Sequence, residues 1–320
     1  MGSVSNEVVI ELTPFIRVYK DGYVERLAGS PIVPPSPEQD PDTGVSSKDV
    51  IISLNPPISA RLYLPNNLPN KKLPILVYFH GGAFCIESAF SFLDHRYLNN
   101  MVSEAQVVGV SVEYRLAPEH PLPTAYQDCW DALQWVASHS IKDKLHNDPW
   151  LADFGDFSGL FIGGDSAGAN IAHNVAMRAG NEGLSGGVKI EGTWLAQPFF
   201  WASSAIGVEP EKRLPAKVWN VVWPSAPGGV DNPMINPVGE GCRKELAGLG
   251  CSRLLVCVAE KDTFRERGVL YCDAVKESGW EGEVEFFEVK GEDHGFHIFH
   301  PYTVNSKAMI KRLASFLSGN

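Results

Sequence analysis

The sequence predicts an α/β fold in a single domain: a mostly parallel central sheet with helices on both faces. Two observations point there. Short apolar runs of buried-strand type recur along the chain, and stretches of helical length separate them. The 320 residues, 44% hydrophobic and 20% charged, also supply enough apolar surface for one large core.

The first elements are the least regular. Residues 1–13 alternate polar and apolar side chains, and the Pro-rich stretch 31–41 reads as a linker, because proline continues neither a helix nor a central strand. Ala60-Arg61-Leu62-Tyr63-Leu64 alternates like a half-buried strand. Residues 75–79 and 107–112 are fully buried types, with a segment of helical length between them. Residues 126–139 place Cys129, Trp130, Leu133, Val136 and Ala137 on one helical face. A buried strand at 160–162 precedes a helix at 167–178. Further strands are predicted at 188–195, 254–258 and 284–289, and a last helix at 304–317. Residues 199–241, rich in Trp, Pro and Gly, break the pattern. Together with residues 1 to about 45 they are expected to form a cap over the sheet.

Composition excludes several classes. A net charge of −11, with no basic run longer than Lys71-Lys72, argues against a nucleic-acid partner. No apolar run reaches the roughly 18 residues of a membrane span, and the N-terminus lacks a signal-peptide core. Gly2 hints at myristoylation, but Asn6 stands where that rule asks for Ser or Thr. With no Asn-x-Ser/Thr acceptor, the expectation is a cytoplasmic protein. The cysteines at 85, 129, 242, 251, 257 and 272 form no Cys-x-x-Cys pair and match no zinc framework. They read as small buried hydrophobes, and no metal or organic cofactor is expected.

Ligands of such a sheet bind at the carboxyl ends of its strands, so chemistry is expected just after the apolar runs. Gly164-Asp165-Ser166-Ala167-Gly168 sits there, between a strand and a helix. A sharp turn in that context exposes the serine and needs small neighbours. Gly183-Leu184-Ser185-Gly186-Gly187 matches the same pattern but follows a helix, and reads as a turn. A serine nucleophile needs a base, an orienting carboxylate and an oxyanion site. His80-Gly81-Gly82-Ala83-Phe84 follows a strand with few side chains to shield its backbone N–H groups. Downstream, Asp262 and then His294 fall at strand ends, in the order Ser, Asp, His expected for this class of sheet. Spacing leaves Glu260 as an alternative carboxylate and His297 as an alternative base.

With these residues in place the chain resembles the plant carboxylesterase group of the hormone-sensitive-lipase-like α/β-hydrolases, over nearly its whole length. The resemblance is carried by His80-Gly81-Gly82, by Tyr114-Arg115-Leu116-Ala117-Pro118-Glu119-His120 and by Gly164-Asp165-Ser166-Ala167-Gly168-Ala169-Asn170. Asp231-Asn232-Pro233 and Asp293-His294-Gly295-Phe296 extend it. It implies that Ser166 is the nucleophile, His294 the general base and acid, and Asp262 its orienting partner. Backbone N–H groups of Gly81, Gly82 or Ala83, with Ala167, would form the oxyanion hole. One departure stands out: the family has a third glycine where this chain has Ala83, and alanine disfavours positive φ.

Residues 80–92 are also similar to those of 2-hydroxyisoflavanone dehydratases and plant alkaloid cyclases, some of which replace triad members; here all three are present. The resemblance therefore implies a serine carboxylesterase acting on small esters through an acyl-enzyme, in plant specialised metabolism. A lyase using the same pocket on a hydroxylated aromatic substrate is the second reading. A hormone-binding protein like the gibberellin receptors is the third, and His294 argues against it, because those receptors are expected to lack the catalytic histidine. Phe84, Trp219, Trp223 and His297 are candidates to line an apolar pocket, with packing of the cap as the alternative.

Overall fold

A computed structural model describes residues 7–66, 68, 71–141, 147–207, 209 and 214–319; Gly2 and Asn6 lie outside them. Three short strands open the chain: β1 (Val8–Leu12), β2 (Ile16–Tyr19) and β3 (Val24–Arg26). They pair antiparallel as a separate three-stranded sheet. Arg26 ties that sheet to the body. Its guanidinium makes a bidentate pair with Glu119, both bonds at 2.9 Å, and its Nε donates to the Cys85 carbonyl at 3.0 Å.

The central sheet holds β4 (Ser46–Leu54), β5 (Pro57–Leu64), β6 (Leu73–Phe79), β7 (Val108–Glu113), β8 (Gly155–Asp165), β9 (Ile190–Ala196), β10 (Cys251–Ala259) and β11 (Glu283–Val289). Their spatial order is β11-β10-β9-β8-β6-β7-β5-β4. Pairing is parallel from β11 across to β7, then antiparallel through β5 and β4. The helices are α1 (Phe92–Ala105), α2 (Thr124–Ser138), α3 (Pro149–Phe154), α4 (Ala167–Glu182), α5 (Leu214–Val222), α6 (Arg265–Glu277), α7 (Phe296–Phe299) and α8 (Val304–Ser318).

The pleat sends alternate side chains into two cores. From β6, Ile75, Val77 and Phe79 join one, while Leu76 and Tyr78 join the other. From β10, Leu254, Val256 and Val258 face one core, and Leu255, Cys257 and Ala259 face the other. Residues of α2, α4 and α6 fill the first core, and residues of α1 and α8 the second. Helices on both faces explain why the strands read as unbroken apolar runs.

Several elements go beyond the sequence reading. β4 pairs with β5 at one edge of the sheet, and α5 lies within the irregular stretch 199–241. Helix α6 had little sequence signal, because its buried face includes Arg267, Gly268 and Ala274. Arg267 is tolerated there by a buried ion pair with Glu209 and a bond to the Ser204 carbonyl at 2.6 Å. The second Gly-x-Ser-x-Gly match falls on a short 3-10 turn at Ser185–Gly187. All six cysteines are free; Cys242 is half-buried and the other five buried. Among the described residues, no helix is long and apolar enough to cross a membrane, and no group of three His, Cys, Asp or Glu side chains is placed to hold a metal.

Candidate active site

The parallel register brings five strand ends to one edge. Phe79 lies opposite Gly164, Asp165 opposite Ala196, Ala196 opposite Cys257 and Ala259 opposite Val289. The loops that leave these ends carry Ser166, Asp262, His294 and the stretch 80–86.

Ser166 is forced into its place by the backbone. It sits between β8 and α4 at φ +52° and ψ −114°, a sparsely populated conformation that costs a non-glycine residue on the order of 1–3 kcal/mol. Its N–H is held by the Ala196 carbonyl at 2.9 Å, and its carbonyl accepts from Phe199 N at 3.0 Å. The flanking glycines are there for space. A Cβ on Gly164 would lie 2.3 Å from the Phe79 carbonyl oxygen, and one on Gly168 only 1.9 Å from it. The strand-to-helix crossing is therefore as tight as backbone contact allows.

His294 and Asp262 complete a relay. Ser166 Oγ lies 2.9 Å from His294 Nε2, and His294 Nδ1 lies 2.9 Å from Asp262 Oδ2. A carboxylate only accepts, so Nδ1 carries the proton and Nε2 is free to accept from the serine hydroxyl. The other Asp262 oxygen accepts from Phe264 N at 3.0 Å, which fixes the carboxylate's orientation. The Asp262 side chain is 1% exposed and that of His294 33%, so the carboxylate is sheltered while the imidazole is partly open. Burial works against charge on His294, but Asp262 outweighs it with help from Asp165 and Asp293, and the imidazole pKa rises above its ordinary 6.5.

The alternatives left open by spacing separate clearly. Glu260 points outward, accepting from Gly291 N at 2.8 Å and pairing with Lys290. His297 is completely buried, packed on Tyr97 at 5.3 Å, and burial with the neighbouring His294 pushes its pKa down to about 3. It is a neutral side chain of the interior.

Stretch 80–86 is a compact turn. Gly82 at φ +97° accepts from Cys85 N at 3.0 Å and Ile86 N at 2.9 Å, and a Cβ on it would meet the Ile86 oxygen at 2.3 Å. Ala83 at φ +53° and Phe84 at φ +61° are both left-handed. The alanine therefore adopts positive φ in spite of its Cβ. His80 braces the turn, stacked on Tyr114 at 4.2 Å and bonded through Nδ1 to the Gly81 carbonyl at 2.8 Å. Burial lowers its pKa to about 4, so it is neutral.

One expected amide is taken. Gly81 N donates to Asp165 Oδ1 at 3.0 Å, and the same oxygen accepts from Tyr78 Oη at 2.5 Å. A Cβ on Gly81 would lie 2.3 Å from Asp165 Oδ2, so its glycine makes room for that carboxylate. Gly81 thus anchors the turn instead of offering a donor. Gly82, Ala83 and Ala167 have no acceptor for their amides among the described residues. Asp165 was visible in the pentapeptide, but nothing in sequence linked it to Tyr78 or Gly81.

Aromatic rings run from the histidine into the irregular stretch 199–241. Centroid distances are 5.2 Å from His294 to Phe264, 4.9 Å from Phe264 to Phe199 and 5.7 Å from Phe199 to Phe84. Trp219 follows at 6.3 Å from Phe84, and Trp223 at 5.5 Å from Trp219. Trp219 is fully buried, with its Nε1 bonded to the Gly229 carbonyl. Phe84 is also enclosed and Trp223 nearly so, which places all three in packing instead of on an open wall. Phe264, not singled out by sequence, is the ring that touches the imidazole, and Phe199 packs against Phe264.

The site thus joins a strand-turn-helix serine to a histidine and a buried aspartate at the carboxyl edge of a parallel sheet. Residues 76–298 match the family described as alpha/beta hydrolase fold, and the chain belongs to that family. Over 322 residues it is 58% identical to a 2-hydroxyisoflavanone dehydratase of Glycyrrhiza echinata, covering 98% of each chain. It is 44% identical to a probable carboxylesterase 2 of Arabidopsis thaliana, covering 99% of each. Among solved structures, an esterase of Pyrobaculum calidifontis is similar with a TM-score of 0.69 and 28% identity, over 85% of this chain and 84% of that one. The chain is thus an enzyme of the esterase-type α/β-hydrolases, within a plant group that holds both dehydratases and carboxylesterases.

Proposed function

We propose that the protein is a serine carboxylesterase that hydrolyses small carboxylic esters through an acyl-enzyme. The observation that carries this reading is the unbroken relay Ser166–His294–Asp262, with both contacts at 2.9 Å. His294 takes the hydroxyl proton as Ser166 Oγ bonds to the ester carbonyl carbon, and the carbonyl electrons move onto oxygen. The amides of Gly82, Ala83 and Ala167 stabilise that oxyanion; one such donor contributes about 3 kcal/mol. His294 then gives its proton to the alkoxy oxygen as the ester bond breaks. Water repeats the sequence, releasing the acid and restoring the serine. The N-terminal sheet and residues 199–241 serve as the cap, held by Arg26 and Arg267.

A second reading has its own support, the 58% identity to a named dehydratase over the whole chain. In it, His294 removes a proton next to a ketone and the same amides hold the enolate. The enolate then expels the neighbouring hydroxyl, which leaves as water with the proton from His294. Wild type and Ser166→Ala, assayed on p-nitrophenyl acetate and on a 2-hydroxyisoflavanone, separate the two. Ester turnover that disappears in the variant is the expected result; ester turnover that survives overturns the acyl-enzyme. Dehydration that survives while ester turnover is lost moves the assignment to the lyase.

A further inference from the structure

We propose that Gln197 is a positioning residue that sets the His294 imidazole against Ser166 by clamping the main chain on both sides of it. This rests on the reading of His294 as the general base.

Gln197 directly follows β9 and is 1% exposed. Its backbone is locked: φ is +49°, and its N–H donates to the Cys257 carbonyl at 2.7 Å. The side chain then reaches across to the loop after β11. Its Oε1 accepts from Gly295 N at 2.6 Å, and its Nε2 donates to the Asp293 carbonyl at 3.3 Å. Those two peptide groups flank His294, so one carboxamide spans the residue that carries the ring.

The bonding pattern calls for an amide. Gly295 N–H needs an acceptor and the Asp293 carbonyl needs a donor. A carboxylate supplies only the first, an ammonium only the second, an apolar isostere neither. Other supports act elsewhere on the loop. Lys261 N holds the Glu292 carbonyl at 2.9 Å, and Ile298 N and Phe299 N hold the Gly295 carbonyl at 2.9 and 3.1 Å. They keep the loop folded without the glutamine, while the clamp fixes the pitch of the segment between them. A left-handed non-glycine residue in the interior is strained, and this one directs its side chain at the main chain on both sides of the base.

The test uses Gln197→Met, which keeps the volume and removes both bonds, and Gln197→Glu, which keeps the acceptor and loses the donor. A displacement of about 1 Å at a reacting group costs on the order of 100-fold in rate. For p-nitrophenyl acetate, kcat is expected to fall about 10- to 100-fold in Gln197→Met and less in Gln197→Glu, with KM within about twofold. The His294 Nδ1–H bond to Asp262 is expected to give a downfield proton resonance in the native enzyme, and that resonance is expected to broaden or vanish in Gln197→Met. Both variants are expected to keep the native circular dichroism. Native kcat in either folded variant overturns the clamp, and so does failure of both to fold, which makes Gln197 a structural residue only. Ser166→Ala and His294→Ala in the same assay keep the two readings apart. Activity surviving there refutes the triad; activity lost there but native in Gln197→Met refutes only the clamp.

Discussion

The two halves of the site are built by different means. On one side, Ser166 and the 80–86 turn are fixed mainly by backbone contact: close approaches at Gly164, Gly168 and Gly82, and positive φ at Ser166, Ala83 and Phe84. On the other, Asp262 and His294 stand on loops held by hydrogen bonds: Phe264 N to the Asp262 carboxylate, Lys261 N to the Glu292 carbonyl, and the Gln197 carboxamide from the end of β9. The first half tolerates no added atom. The second depends on the right donor facing the right acceptor. Substitutions in the two halves should therefore fail differently, by loss of folding in one and by loss of rate in the other.

The largest effect tests the residue both halves share. Ser166→Ala is expected to lower kcat for p-nitrophenyl acetate by on the order of 10⁵-fold with little change in thermal stability. In the hydrogen-bonded half, Asp262→Asn is expected to cost on the order of 10⁴-fold in kcat, because the amide favours the wrong tautomer of His294. The protein should still fold. In the backbone half, Gly168→Ala drives a Cβ to 1.9 Å from the Phe79 carbonyl. It should lose about 4 kcal/mol or more in urea unfolding, or fail to fold. A Gly168→Ala protein of native stability would break the comparison.

Two smaller effects sharpen it. His294 must be neutral to act as base, and the carboxylates around it raise its pKa above 6.5 despite burial. The acid limb of the kcat/KM profile should therefore lie above pH 6.5, activity falling as pH drops through the raised pKa. Asp262 on the loop after β10, Asp293 beside it, Asp165 at the end of β8 and His297 behind it make up its charged and titratable surroundings. Asp165→Asn removes one negative charge and should shift that limb to lower pH, while its amide oxygen still accepts from Gly81 N. Ala83→Gly should do least. Relief of left-handed strain offsets the added freedom of the unfolded chain, leaving stability within about 1 kcal/mol. Turnover should stay within about threefold of native.

This division also decides what could be read from sequence. Close approach of backbone demands glycine at the crowded position itself, so it leaves a trace there even where the contacting residue is distant: the glycines around Ser166 and the glycine pair after His80. The strands were legible because both faces are buried. Asp262 and His294 were legible only by order and by position after apolar runs, which is why Glu260 and His297 stayed open until the loops were placed. Gln197 left no trace, since its partners lie 96 and 98 residues away. Gly81 was read as a donor because nothing local announces the Asp165 carboxylate 84 residues on. Phe84 and Trp219 were apolar as expected, but only the fold distinguishes a wall from an interior.

The Arg26 tether has a consequence for how the chain is made. Arg26 emerges from the ribosome before Cys85 and Glu119, which follow 59 and 93 residues later. Until they arrive, β1 to β3 lack the groups that tie them to the central sheet, and a small ribbon of strands is at best marginally stable. The turn that Arg26 grips through Cys85 is in the same position, waiting for Asp165. Nascent chains stalled before that point should be open to proteases at the N-terminal arm, and longer ones progressively protected. The arm is synthesised before the groups that secure it.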